Sequence, residues 1–220
     1  VKSYTGALFN SGPVERLLDL AARCQESSGA SPLDDDLRRF IRIVENSNAA
    51  HWACPISTVA ALLEFVGDVV DGDSAPFVPA EFQKRLLRVA DGVGGGEYLR
   101  TLAGIIRILA QGPVADYAEL PMAAWEARVL FPRLGGFGAN WIYDGEYSSI
   151  EESVRAAVDS EHPYCPEFLS PLAAEAQTAL VLFPEQESFR VNISEQIPWA
   201  SIASVRELLG LINDHMRHEH

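Results

Sequence analysis

Apolar side chains in the first 132 residues recur every three or four positions, the period of amphipathic helices. After Ser11-Gly12-Pro13, the positions Val14, Leu17, Leu18 and Ala21 share a face, and Pro13 suits a first helical turn. A second helix starts at Pro32, with Ser31 as its cap and Leu33, Leu37, Phe40, Ile41 and Val44 as its stripe. Val59, Leu62, Leu63 and Val66 predict a third over residues 56–70, closed by Asp71-Gly72-Asp73-Ser74. A fourth follows Pro79, with Phe82, Leu86 and Val89 inward. In a fifth, over 97–110, apolar residues occupy much of the circumference, so it is expected to be the most buried of the set. A sixth covers 123–131.

Beyond Pro132 the pattern changes. Leu134-Gly135-Gly136-Phe137-Gly138 reads as a flexible link, and Asn140-Trp141-Ile142-Tyr143 as a short strand stopped by Asp144-Gly145. Ser149 and Glu152 form a capping box for a helix to about Val158. A proline-rich connection then runs from His162 to Pro171. The apolar run Thr178 to Phe183 and the alternating Phe189, Val191 and Ile193 predict a hairpin across Pro184 to Ser188. A last helix follows Pro198, with Ile202, Val205, Leu209 and Ile212 inward. The expectation is one α+β domain over 1–220: a helix-rich part, 1–132, packed with a small, mostly antiparallel sheet and further helices from 133–220.

Charge alters this picture more than composition does. There are 31 acidic and 17 basic side chains, a formal net of -14. Such a balance disfavours nucleic acid, whose phosphates need a basic footprint. Residues 111–220 hold 17 of the acids and 6 of the bases, and between Leu134 and Phe189 ten acids face the single base Arg155. Solubility alone accounts for some of this charge, and an anionic surface for a basic partner accounts for its concentration. Cys24, Cys54 and Cys165 are odd in number and irregularly spaced, which argues against a disulfide framework and predicts a reducing, cytoplasmic location. The first residues lack a secretory pattern, and no apolar stretch is long enough to span a membrane.

Candidate chemistry is sparse. His51-Trp52-Ala53-Cys54 and His162-Pro163-Tyr164-Cys165 share a His-x-x-Cys spacing that could supply four tetrahedral zinc ligands, or a thiol with a histidine base. The two pairs lie more than a hundred positions apart, and buried cysteines commonly act as small apolar side chains, so no metal, cofactor or catalytic residue is expected. His215, His218 and His220 read as a solvated tail. Gly92-Val93-Gly94-Gly95-Gly96 follows a helix and precedes Glu97, which fits a helix end better than a phosphate cradle. Asp34-Asp35-Asp36 falls in a helix's first turn, where the backbone dipole favours carboxylates, four residues before Arg38 and Arg39.

Aromatic residues inside the acidic stretch point to binding. Trp141 suits the core, and Tyr147, between Glu146 and Ser148, suits an exposed anchor. The expected contact set is Asp144, Glu146, Tyr147, Glu151, Glu152, Asp159 and Glu161. In moderate length, helix-and-strand texture, concentrated acidity and lack of an active-site signature, the chain resembles the bacterial immunity proteins of type VI-like interbacterial nuclease toxin systems. That resemblance implies a non-catalytic protein that neutralises a basic toxin by charge matching. Two alternatives stand beside it: a secretion chaperone or adaptor, and a metal- or cysteine-dependent enzyme.

Overall fold

The structure, a computed structural model, describes residues 8–26, 32–47, 49–50, 52–143 and 145–220. Eleven α-helices lie within these residues, and none of the described residues belongs to a strand or sheet. The protein is all-α, which overturns the expected α+β class. The chain divides into two compact units, Val1–Ala115 and Asp116–His220.

The first unit contains α1 (Pro13–Glu26), α2 (Leu33–Asn46), α3 (Ile56–Asp71), α4 (Ala80–Ala90) and α5 (Gly95–Leu109). Its helical stripes bury as their spacing predicts: Val14, Leu17, Leu18 and Ala21 from α1, Leu37, Phe40 and Ile41 from α2, and Phe82, Leu86 and Val89 from α4 are all in the core. The antiparallel α3 and α5 pack along their length and are pinned at the rim by Arg100, which reaches Asp68 at 3.0 Å and Asp71 at 2.5 Å, and by Arg107, which holds Glu64. The fifth helix is not uniformly buried, since Ile108 is 69 % exposed. The expected cap Ser31 lies outside the described residues. Of the acidic triplet, Asp36 pairs with Arg39 at 3.2 Å, one turn on. The glycine-rich segment is a helix end and a helix start: Asp91 and Gly92 take positive φ after α4, and Gly94 precedes α5. The Gly96 amide donates to Asp71 Oδ1 at 3.3 Å, so the chain's own carboxylate occupies the position a phosphate would take.

The second unit contains α6 (Ala124–Leu130), α7 (Pro132–Phe137), α8 (Ile150–Glu161), α9 (Cys165–Leu182), α10 (Gln186–Phe189) and α11 (Ile202–His218), with π-helical turns at Gly138–Ile142 and Arg190–Ser194. All three expected strands are helical. Residues 178–182 end α9 and Phe183 caps it; Leu169, Leu172, Ala176, Ala179 and Phe183 form a buried stripe at three- and four-residue spacing, while Val181 is 77 % exposed. A short apolar run fits a strand and a buried helix equally, and here the stripe continues N-terminally through the proline-rich segment and decides for helix. The alternation at 189–194 is coincidental. Phe189, Asn192, Ile193 and Ile197 are the buried positions, with polar Asn192 inside because its Oδ1 accepts the Met122 amide at 2.8 Å and its Nδ2 donates to the Ser188 carbonyl at 2.9 Å.

The segment expected to be a flexible link and strand is α7 followed by a π-helical turn. Gly138 is required there, because a Cβ at that position would fall 2.5 Å from the Trp199 ring. Trp199 in turn donates from Nε1 to the Leu134 carbonyl at 3.2 Å. Helix α8 is capped by Ser149, whose Oγ accepts the Glu152 amide at 3.2 Å, but the other arm of the expected capping box goes elsewhere: the Glu152 carboxylate reaches back to Ser148 and not to the Ser149 amide. Helices α8, α9 and α11 pack on one another around Val154, Ala157, Leu169, Leu172, Val205, Leu208 and Ile212. Their packing brings the end of α8, the start of α9 and the end of α11 together.

Candidate functional site

The division into units follows the charge. Val1–Ala115 has 14 acids and 11 bases, whereas Asp116–His220 has 17 and 6. Of the expected contact residues, Glu151, Glu152, Asp159 and Glu161 belong to α8, and Glu146 and Tyr147 to the segment before it; Asp144 lies outside the described residues. Ser153, Val154 and Ala157 turn inward, leaving Glu151, Glu152, Arg155 and Asp159 exposed on the outer side of the helix. Part of that charge has local duties. Glu151 pairs with Arg155 at 2.8 Å. Glu152 accepts from the Ser148 amide at 2.8 Å and hydroxyl at 2.7 Å, which holds its carboxyl below the usual range. Tyr147 is half-buried and leans on Trp141 with ring centroids 6.2 Å apart, so it is less of an exposed anchor than expected. The open aromatic rings of this stretch are Tyr143, 52 % exposed, and Tyr164, 65 % exposed.

A second constellation lies where the three helices converge. His162 follows the last residue of α8, accepting no further helical turn because Pro163 comes next. Cys165 opens α9 and is fully buried. His215 lies in the last turn of α11, and His220 two residues beyond that helix. One potential ligand atom from each of these four residues lies within 4.8 Å of the others. Cys165 Sγ is 3.7 Å from His162 Nδ1. The imidazole centroids are 5.2 Å apart for His215 and His220, 5.5 Å for His162 and His220, and 6.5 Å for His162 and His215. His215 Nε2 is buried without a hydrogen-bond partner. The cluster opens on a cleft of about 530 Å³ bordered by Asp159 and Glu219.

One His-x-x-Cys pair thus takes part, and its partners come from the chain's end and not from the other pair. His51 lies outside the described residues, and Cys54 is in the first unit, where burial pushes its thiol up and away from nucleophilic use. His215, expected in a solvated tail, is half-buried on α11, which continues to His218, whereas His218 and His220 are exposed. His218 turns aside, its Nδ1 lying 2.8 Å from the Asp214 carbonyl. The pair His162 and Cys165 was visible in sequence, but its companions fifty positions away gain meaning only once α8, α9 and α11 are neighbours.

Glu175 of α9 is a half-buried carboxyl. Its Oε2 accepts the amides of Arg133 at 2.7 Å and Leu134 at 3.0 Å, capping the start of α7, and burial nevertheless pushes its pKa up to about 7. No helix among the described residues is long and apolar enough to cross a membrane. No family model, curated protein or solved structure matches the chain.

Proposed function

We propose that this chain is a non-catalytic binding protein whose acidic carboxy-terminal unit takes a basic protein partner, and that the partner is a toxin of the nuclease class against which the chain confers immunity. The supporting observation is the outer side of α8, where Glu151, Glu152 and Asp159 are exposed together in a stretch whose single base is Arg155. A nuclease presents a cationic groove to its substrate, and an anionic helix face suits that groove. Tyr143 and Tyr164, exposed within the same stretch, would supply the apolar anchoring that charge alone does not. Cys54 and Cys165 are free thiols, in keeping with a reducing cytoplasm.

A chaperone or adaptor is the second reading, favoured by the exposed Phe65, Phe77, Leu87 and Ile108 of the first unit. Co-expression separates the two. The product of the open reading frame beside this gene is expected to be lethal alone and harmless with this chain, and to bind it in its folded form. Absence of both protection and a complex refutes immunity, and binding only to an unfolded or secretion-bound segment favours the chaperone.

A further inference from the structure

We propose that His162, Cys165, His215 and His220 form a binding site for a single zinc ion that fastens the end of α11 to the junction of α8 and α9. Tetrahedral zinc holds nitrogen at about 2.0–2.1 Å and sulfur at about 2.3 Å, which sets ligand-to-ligand separations of roughly 3.3–3.6 Å. The 3.7 Å between Cys165 Sγ and His162 Nδ1 is already that edge. The remaining donors, within 4.8 Å, need an inward shift of about 1 Å, which rotation of the exposed His162 and His220 side chains supplies.

Three further features fit an ion and not a simple hydrogen-bonded cluster. His215 Nε2 is buried with no partner, a cost that a metal bond removes. Cys165 is fully buried at the first position of α9, a fixed sulfur around which the exposed imidazoles can close. Zinc with one thiolate and three neutral imidazoles leaves one positive charge, and the carboxylates of Asp159 and Glu219 border the same cleft to balance it and to receive ring N–H groups. A borderline-soft set of one sulfur and three nitrogens, four donors in all, selects zinc over magnesium or calcium, which require oxygen. Four protein ligands close the coordination shell, so the role is structural and leaves no position for substrate. This site shares Asp159 with the proposed partner face but rests on other ligands, and either reading can fail alone.

The test uses the full chain, reduced and stripped with a chelator, then titrated with cobalt(II) and back-titrated with zinc. One cobalt per chain is expected, with a sulfur-to-cobalt charge-transfer band and the intense visible bands of tetrahedral geometry, both erased by one equivalent of zinc. Cys165→Ala should abolish the charge-transfer band and weaken zinc binding by at least about 100-fold, and His220→Ala, an exposed side chain outside α11 that carries no core packing, by at least about 10-fold. Cys54→Ser should bind like the unaltered chain. A cobalt spectrum without the charge-transfer band overturns the proposal. So does undiminished zinc affinity in both Cys165→Ala and His220→Ala, which would mean adventitious binding by surface imidazoles only.

Discussion

Glu175 joins a helix cap to a proton. Its carboxylate is the acceptor for the amides of Arg133 and Leu134, the second and third residues of α7, whose first residue Pro132 has no amide to satisfy. Replacing Glu175 with alanine strands the Leu134 amide in the core, while that of exposed Arg133 can turn to water, so the loss is expected to be about 2 kcal/mol at pH 5 and smaller at pH 8, where burial disfavours the native carboxylate. Glutamine keeps an oxygen for both amides and removes only the charge. Burial raises the carboxyl from 4.5 to about 7 in the folded chain, despite the two amides and Arg133 pulling the other way. That interval corresponds to ~3.4 kcal/mol if taken whole, and solvent screening of this part-exposed group reduces it to ~1 kcal/mol. The folded state holds the proton more tightly than the unfolded one, so this contribution is complete below about pH 4.5 and drains away as pH rises through 7. Urea unfolding followed by tryptophan fluorescence reports mainly on this unit, which contains Trp125, Trp141 and Trp199. At pH 5 Glu175→Gln should match the unaltered chain, and at pH 8 it should be the more stable by ~1 kcal/mol. A carboxylate form more stable than glutamine at pH 8 would refute the reasoning, because the helix-start dipole would then outweigh burial.

Three further substitutions probe the helical second unit. Gly138→Ala should cost about 1–3 kcal/mol by forcing Trp199 out of its place, seen as a lowered urea midpoint together with a shifted fluorescence maximum. Asn192→Ala should cost about 1–3 kcal/mol, since the buried Met122 amide loses its acceptor. Val181→Glu should change stability by no more than about 0.5 kcal/mol, because that side chain faces solvent on α9; a large loss would restore the buried strand.

The first unit was legible because its helices bury a single stripe each, and Val14, Leu17, Leu18 and Ala21, or Phe82, Leu86 and Val89, keep that period without interruption. The second unit hid its helices in two ways. Polar Asn192 points inward and half-exposed Val191 does not, which imitates a strand's alternation. Glycines at 135, 136 and 138 mimic a linker, although Leu134 and Phe137 anchor the helix between them in the core and Gly138 makes room for Trp199. Taking 178–183 for a strand separated α9 from α8 and α11, and with it Cys165 from His215 and His220. The exposure of Glu151, Glu152 and Asp159 was legible because α8 was recognised by its cap and their placement follows from that helix alone.

Charge matching between α8 and a basic protein is tested most directly by stopped-flow association with the adjacent gene's product across a salt series. Glu146 and Glu151 are the residues to reverse to lysine, since Glu152 also serves the helix cap through Ser148. The double variant should associate about tenfold more slowly at low salt and converge on the unaltered chain as salt rises. Equal rates at every ionic strength would contradict the account.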